Sequence, residues 1–135
     1  MPTTLFFTCN KPVDQVIAVL GDMQRFAQVH PIIQRIEPMG DQGYLVHETV
    51  RFGPIPYSFT YPVVVHMDRA AGRVRVEATI QRMTHMTMEF NVEADGGGSK
   101  ITETVEIHSP LPIKSYLLKL LRTQHTQLFK NIGEL

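Results

Sequence analysis

From Tyr44 to His108 the chain alternates apolar and polar residues, broken only by short turn signals. Side chains on a strand alternate between its two faces, so this stretch predicts consecutive strands with one face turned inward. In "YLVHETVRF" (44–52), Tyr44, Val46, Val50 and Phe52 share one face, and Leu45, His47, Thr49 and Arg51 share the other. Strand 57–68 aligns Tyr57, Phe59, Tyr61, Val63, Val65 and Met67. Strand 73–80 turns Val74, Val76, Ala78 and Ile80 inward, and strand 84–94 turns Met86, Met88, Phe90, Val92 and Ala94 inward. Strand 99–108 completes the set with Ile101, Val105 and Ile107. The connections "GPIP", "RAAG" and "DGGG" are too short for crossovers, so the strands form an antiparallel meander. The turn at 81–83 is the least typical, because it lacks glycine.

Helical signals flank the meander. "TLFFTC" (4–9) reads as a first strand. Asn10 is then a candidate N-cap, with Pro12 in the first turn. Val13, Val16, Ile17 and Leu20 make one helical stripe, and Gly21 suits its end. A second short helix begins at Asp22, carries Met23, Phe26 and Ala27 inward, and stops at Pro31. "IIQRIEPMG" is a weakly specified passage into the sheet. After "SPLP", a long helix spans about 113–132, with Ile113, Leu117, Leu121, Leu128 and Ile132 on one face. Its apolar arc is wider than a surface helix requires, with Gln124 near the centre and His125 to one side.

This order of strand, two helices, meander and long terminal helix resembles the helix-grip superfamily. That group contains START domains, birch-pollen-allergen-like proteins and polyketide cyclase/dehydrase-like (SRPBCC) proteins. The resemblance rests on "TCNKPVDQVIAVLGDMQRFAQVHPIIQRI", "VHETVRF" and "ITETVEIHSPLPIKSYLLKLLRTQHTQLFKNI", and covers nearly the whole chain. It implies an α+β fold in one domain, 1–135: a curved antiparallel sheet of about six strands wrapped around the C-terminal helix. It also implies an apolar cavity between sheet and helix. Members bind lipids, hormones, polyketides or quinones, and a minority are catalysts, so fold alone assigns no activity.

Two acids break the apolar pattern. Glu48 and Glu103 fall in phase with inward-facing residues. Buried carboxylates are costly unless they find hydrogen bonds, solvent or a proton. If the first hairpin closes over 53–56, Glu48 faces Tyr61. If the last closes over 95–98, Glu103 faces Phe90. Carried across the meander, these registers separate the acids by about six residues, roughly 20 Å, and by four strand spacings, roughly 19 Å. A two-carboxylate glycosidase site needs roughly 5–9.5 Å, so two separate polar sites are expected. Tyr57, Tyr61 or Gln124 can donate to Glu48. For Glu103 the candidates are Lys100 and Arg73, or water at a sheet rim.

Other chemistry is excluded or weakly supported. His47, His66, His85 and His108 fall on polar strand faces without a recognised ligand spacing, so no metal site is expected. His30 reads as filling a gap between elements, and His125 as a core histidine or a polar contact at a cavity mouth. Ser58 and Ser109 lack a His–acid constellation. "DGGG" lacks the lysine of a phosphate loop, and no cofactor is called for. The formal net charge is zero, with no basic run, which argues against nucleic-acid binding. There is neither an apolar run able to span a bilayer nor a signal-type N-terminus, so no stable membrane insertion is expected. The single Cys9 forms no internal disulfide, and a reducing cytoplasm is the expected setting.

The leading expectation is therefore a protein that binds a small-to-medium hydrophobic molecule with a polar group. Glu48, Tyr57, Tyr61, Gln124 and Glu103 are the polar candidates. Phe59, Met86, Met88, Phe90, Leu117 and Leu121 are the apolar wall. One alternative is a cyclase, dehydratase or isomerase acting on such a ligand. Another is an interaction module with a vestigial cavity, pairing with a partner or a second copy through "GPIPYSF" or the last helix.

Overall fold

A computed structural model describes residues 2–40 and 43–135. The meander is built from β3 (Gly43–Phe52), β4 (Ile55–Asp68), β5 (Arg73–Ile80), β6 (Thr84–Asp95) and β7 (Gly98–His108). β1 (Thr3–Cys9) pairs with β7, and β2 (Ile33–Pro38) pairs with β3. The antiparallel order is β1-β7-β6-β5-β4-β3-β2. Between β1 and β2 lie α1 (Val13–Leu20) and α2 (Met23–Val29), and α3 (Lys114–Gly133) ends the chain. The α+β helix-grip architecture is the one expected.

Three local expectations are corrected. The sheet has seven strands rather than about six, because "IQRIEP" pairs with β3. Its register shifts between Ile33 and Arg35, so Ile33 and Ile36 are both buried although three residues apart. The extra residue of a bulge hides the period of two. The first hairpin closes over two residues, not four: Phe52 faces Ile55, Val50 faces Tyr57 and Glu48 faces Phe59. Gly53 supplies a positive φ of 63°, which suits so tight a turn. The prolines fit because β4 pairs with β5 only from Val63 onward, leaving one edge open at Pro56 and Pro62. Finally, Asn10 does not cap α1. Pro12 holds the N-cap position, its carbonyl accepting from the N–H groups of Gln15 and Val16. The Phe52 side chain lies outside the described residues.

Elsewhere local chemistry and position agree. Asp22 caps α2, its carboxylate accepting from the backbone N–H of Gln24 at 3.0 Å and Arg25 at 3.3 Å. Such a cap contributes about 1 kcal/mol. Gly21, between the two helices, approaches β4 so closely that a Cβ would lie 2.1 Å from Met67 Sδ. Asn131 Nδ2 donates to the Val29 carbonyl at 2.7 Å, tying α3 to the end of α2.

The two halves of α3 behave differently. Leu121, Gln124, His125, Leu128, Phe129 and Ile132 are buried. Phe129 meets Phe7 and Phe90 with ring centroids 5.2 and 6.1 Å apart. Truncating so buried a phenylalanine to alanine would cost about 3–5 kcal/mol. Toward the N-terminus, Leu117 and Leu120 are only half-buried and Tyr116 is exposed. The C-terminal half fills the grip of the sheet, and the N-terminal half leaves space beneath it.

Candidate functional site

That space is a cavity of about 300 Å³. Its walls are α2, the inner faces of β2 to β6, and the first turns of α3. The interior is therefore not packed solid. Glu48, Tyr57, Phe59, Tyr61, Met86, Met88, Phe90, Leu117, Leu121 and Gln124 all line it. Glu103 does not. It is completely buried behind His125, away from the cavity wall.

Each acid has a partner of its own. The Tyr61 hydroxyl donates to Glu48 Oε1 at 2.8 Å. Tyr61 sits two residues beyond Phe59, the residue opposite Glu48, so the pair is a diagonal contact across the strands. Burial raises the Glu48 carboxyl above its ordinary pKa, while the Tyr61 hydrogen bond and nearby His125 oppose the rise. Burial, together with the adjacent Glu48, holds Tyr61 well above its ordinary pKa, so it remains a phenol and a donor. Lys100 and Arg73 play no part at Glu103. Its Oε1 is hydrogen-bonded to His125 Nδ1 at 2.6 Å. Glu103 Oε2 has no hydrogen-bond partner among the described residues.

The imidazoles extend this polar cluster. With Nδ1 committed to Glu103, His125 has Nε2 left for the cavity it lines. Its ring meets His30 edge-on, with centroids 6.1 Å apart. His30 Nδ1 accepts from the backbone N–H groups of Ile32 and Ile33, both at 3.3 Å. An acceptor nitrogen must be unprotonated, and burial with His125 nearby lowers the His30 pKa to about 3. His30 is therefore a neutral ring with its hydrogen on Nε2. Gln124 is buried in the same wall. The result is a largely apolar chamber whose wall also carries Glu48, Tyr61, Gln124, His30 and His125. Among the described residues no group of three or more His, Cys, Asp or Glu is placed to hold a metal ion.

His30 and His125 are the polar lining residues that sequence reasoning underweighted. The signal for His125 was its place on the apolar arc of α3, next to Gln124. The signal for His30 was its position before Pro31, where the chain leaves α2 and its N–H groups need acceptors. The contributions of Ile33 and Ile36 were hidden with β2.

Sheet, gripped helix and internal chamber define a helix-grip fold. Residues 4–128 match the model of the polyketide cyclase / dehydrase and lipid transport family, and the chain belongs to it. Solved structures similar to the chain include Ara h 8.0201, with 21% identity and a TM-score of 0.72 over 99% of this chain and 95% of that one. The Zhui aromatase/cyclase from a Streptomyces species is 16% identical, with a TM-score of 0.72 over 99% and 92% of the two chains. A START superfamily protein from Mycobacterium smegmatis is 11% identical, with a TM-score of 0.74 over 98% and 94%. No curated protein sequence matches. Among the described residues no helix is long and apolar enough to cross a membrane.

Proposed function

We propose that the protein binds a small hydrophobic molecule carrying one polar group, in the chamber between the sheet and α3. The observation that carries the reading is Glu48: a carboxyl group in an otherwise apolar wall, held by one tyrosine hydroxyl and raised toward its neutral form. A protonated Glu48 can donate to a carbonyl or hydroxyl on the ligand, and the Gln124 amide can both donate and accept. Met86, Met88 and Phe59 would cover the apolar body, burial contributing about 25 cal/mol per Å² before ordering costs. The volume of about 300 Å³ equals that of roughly ten liquid water molecules. It favours a compact ring system or short acyl chain over a full-length lipid. Native mass spectrometry of freshly purified protein tests for a retained compound, and displacement of the neutral dye N-phenyl-1-naphthylamine measures the site. Met88→Trp, which fills the chamber, is expected to abolish dye uptake. Uptake unchanged in that variant refutes the site.

The Glu103–His125 hydrogen bond favours a second reading, proton transfer on the bound molecule as in a cyclase, dehydratase or isomerase. A carboxylate on Nδ1 orients the ring and leaves Nε2 to accept a proton from the ligand. His125→Gln would then retain ligand and lose turnover. Unchanged turnover removes the histidine from the chemistry.

A further inference from the structure

The antiparallel order brings three connections to one end of the sheet: the β3–β4 turn, the β5–β6 turn and the link from β7 to α3. The chamber opens at this end, where β4 parts from β5, with Tyr57, Gln81 and Tyr116 at its wall. Around the opening Ile55 is 65% exposed, Tyr57 48%, Met83 45%, Leu111 48% and Tyr116 54%. They are half of the large hydrophobic residues exposed among the described residues. An opening ringed by exposed apolar side chains marks an interaction surface.

Charge narrows the partner. Residues 49–58, 80–85 and 109–116 contain Arg51, Arg82 and Lys114 and no Asp or Glu, although the chain as a whole has a formal net charge of zero. The last acid of β7 before this end, Glu106, is half-buried and engaged by His108 at 3.0 Å. The β5–β6 turn holds Gln81 and Arg82 at positive φ, 55° and 62°, where glycine or asparagine would sit with less strain. This strained turn carries Arg82 and Met83 at the rim.

We propose that this end of the molecule docks on an anionic lipid bilayer, with Ile55, Met83 and Leu111 entering the interface and Arg51 and Arg82 at the phosphate level. A second copy is disfavoured, because apposing two such ends brings like charges together. A bilayer meets all three connections at once, and tyrosines such as Tyr57 and Tyr116 suit the headgroup zone. An apolar ligand would pass between lipid and chamber without crossing water, so the docking surface deepens the ligand-binding reading and rests on it for its purpose.

The test is co-sedimentation with vesicles of phosphatidylcholine alone, or with about one-third phosphatidylglycerol. The expected result is partition about tenfold stronger onto the anionic vesicles, weakening as salt is raised. Arg51→Glu/Arg82→Glu should lower that partition about tenfold, and Ile55→Ser/Met83→Ser should lower it on both compositions. None of these four side chains lines the chamber, so dye uptake should match wild type. Dye uptake lost in wild type would fault the ligand reading; normal uptake without vesicle binding faults the docking surface alone. No partition onto anionic vesicles, or equal partition by wild type and both variants, overturns the proposal. So does a wild type that ignores vesicles and binds an acidic protein through the same residues.

Discussion

Removing the imidazole of His125 should destabilise the protein more than removing the hydrogen bond alone would. In the native structure Glu103 is fully buried, Oε1 hydrogen-bonds His125 Nδ1 at 2.6 Å, and Oε2 has no partner among the described residues. His125→Leu therefore strands an entire carboxyl group in the core, a loss of about 3–5 kcal/mol. Glu103→Leu strands only one ring nitrogen, for about 1–3 kcal/mol. The double variant removes both polar groups and should lie near wild type, because apolar replacement of a buried pair is often neutral. Unfolding entropy of about 2.1 cal/mol/K per residue over 135 residues gives about 0.28 kcal/mol/K. The His125→Leu midpoint should thus fall by roughly 10–18 °C, and the double variant should recover most of it. Urea and calorimetric unfolding of the four proteins at neutral pH measure the cycle. Additive single losses, with the double variant worst of all, would falsify the coupling assigned to this pair.

Two further predictions concern pH. Burial raises Glu48 above its ordinary value of 4.5, so the folded protein keeps a proton that the unfolded chain releases. Its contribution is complete below that value and is lost as pH rises through the raised pKa. Glu48→Gln should remove this decline, read as a pH-dependent difference in unfolding free energy between the two proteins; a flat difference contradicts the buried carboxyl. His30 has the opposite sign. With its pKa lowered from 6.5 to about 3, its contribution is complete above 6.5 and is lost as pH falls toward 3, by up to about 5 kcal/mol. His30→Asn keeps an acceptor for the Ile32 N–H and should lessen the acid sensitivity, and an unaltered acid transition in that variant rules the histidine out.

The sequence-to-fold steps succeeded where one periodicity held without interruption. β5 was bounded to the residue, and the last hairpin pairs Ala94 with Ser99 and Phe90 with Glu103 as the turn "DGGG" implied. The failures share a cause: a local signal whose meaning depends on a neighbour. Two prolines in "GPIP" argue for a wide loop only if both edges of β4 are paired, and its first half has one edge open. Asn10 has the right chemistry for a cap, but the chain enters α1 through Pro12. The bulge in β2 conceals an edge strand whose residues form part of the chamber wall. For the site, apolar phase was enough to place the wall residues, because phase fixes which face a side chain occupies. It could not show that Glu103 stands behind the wall, since that depends on what α3 inserts between them.

Strand registers alone make the acids more distant than first reasoned. Closing the first hairpin over two residues instead of four slides Glu48 a further two positions from the level of Glu103. Even so, His125 hydrogen-bonds Glu103 and acts electrostatically on Glu48. Reach along a flat sheet cannot produce that convergence; curvature around a helix can. Successive helical residues differ by about 100° around the axis, yet Gln124 and His125 both face the chamber. One turn of α3 can thus address strands at opposite sides of the grip, and its rotational setting decides which strand residues share a site. The chemistry of this chamber is organised from the helix, and the strands supply the groups it selects.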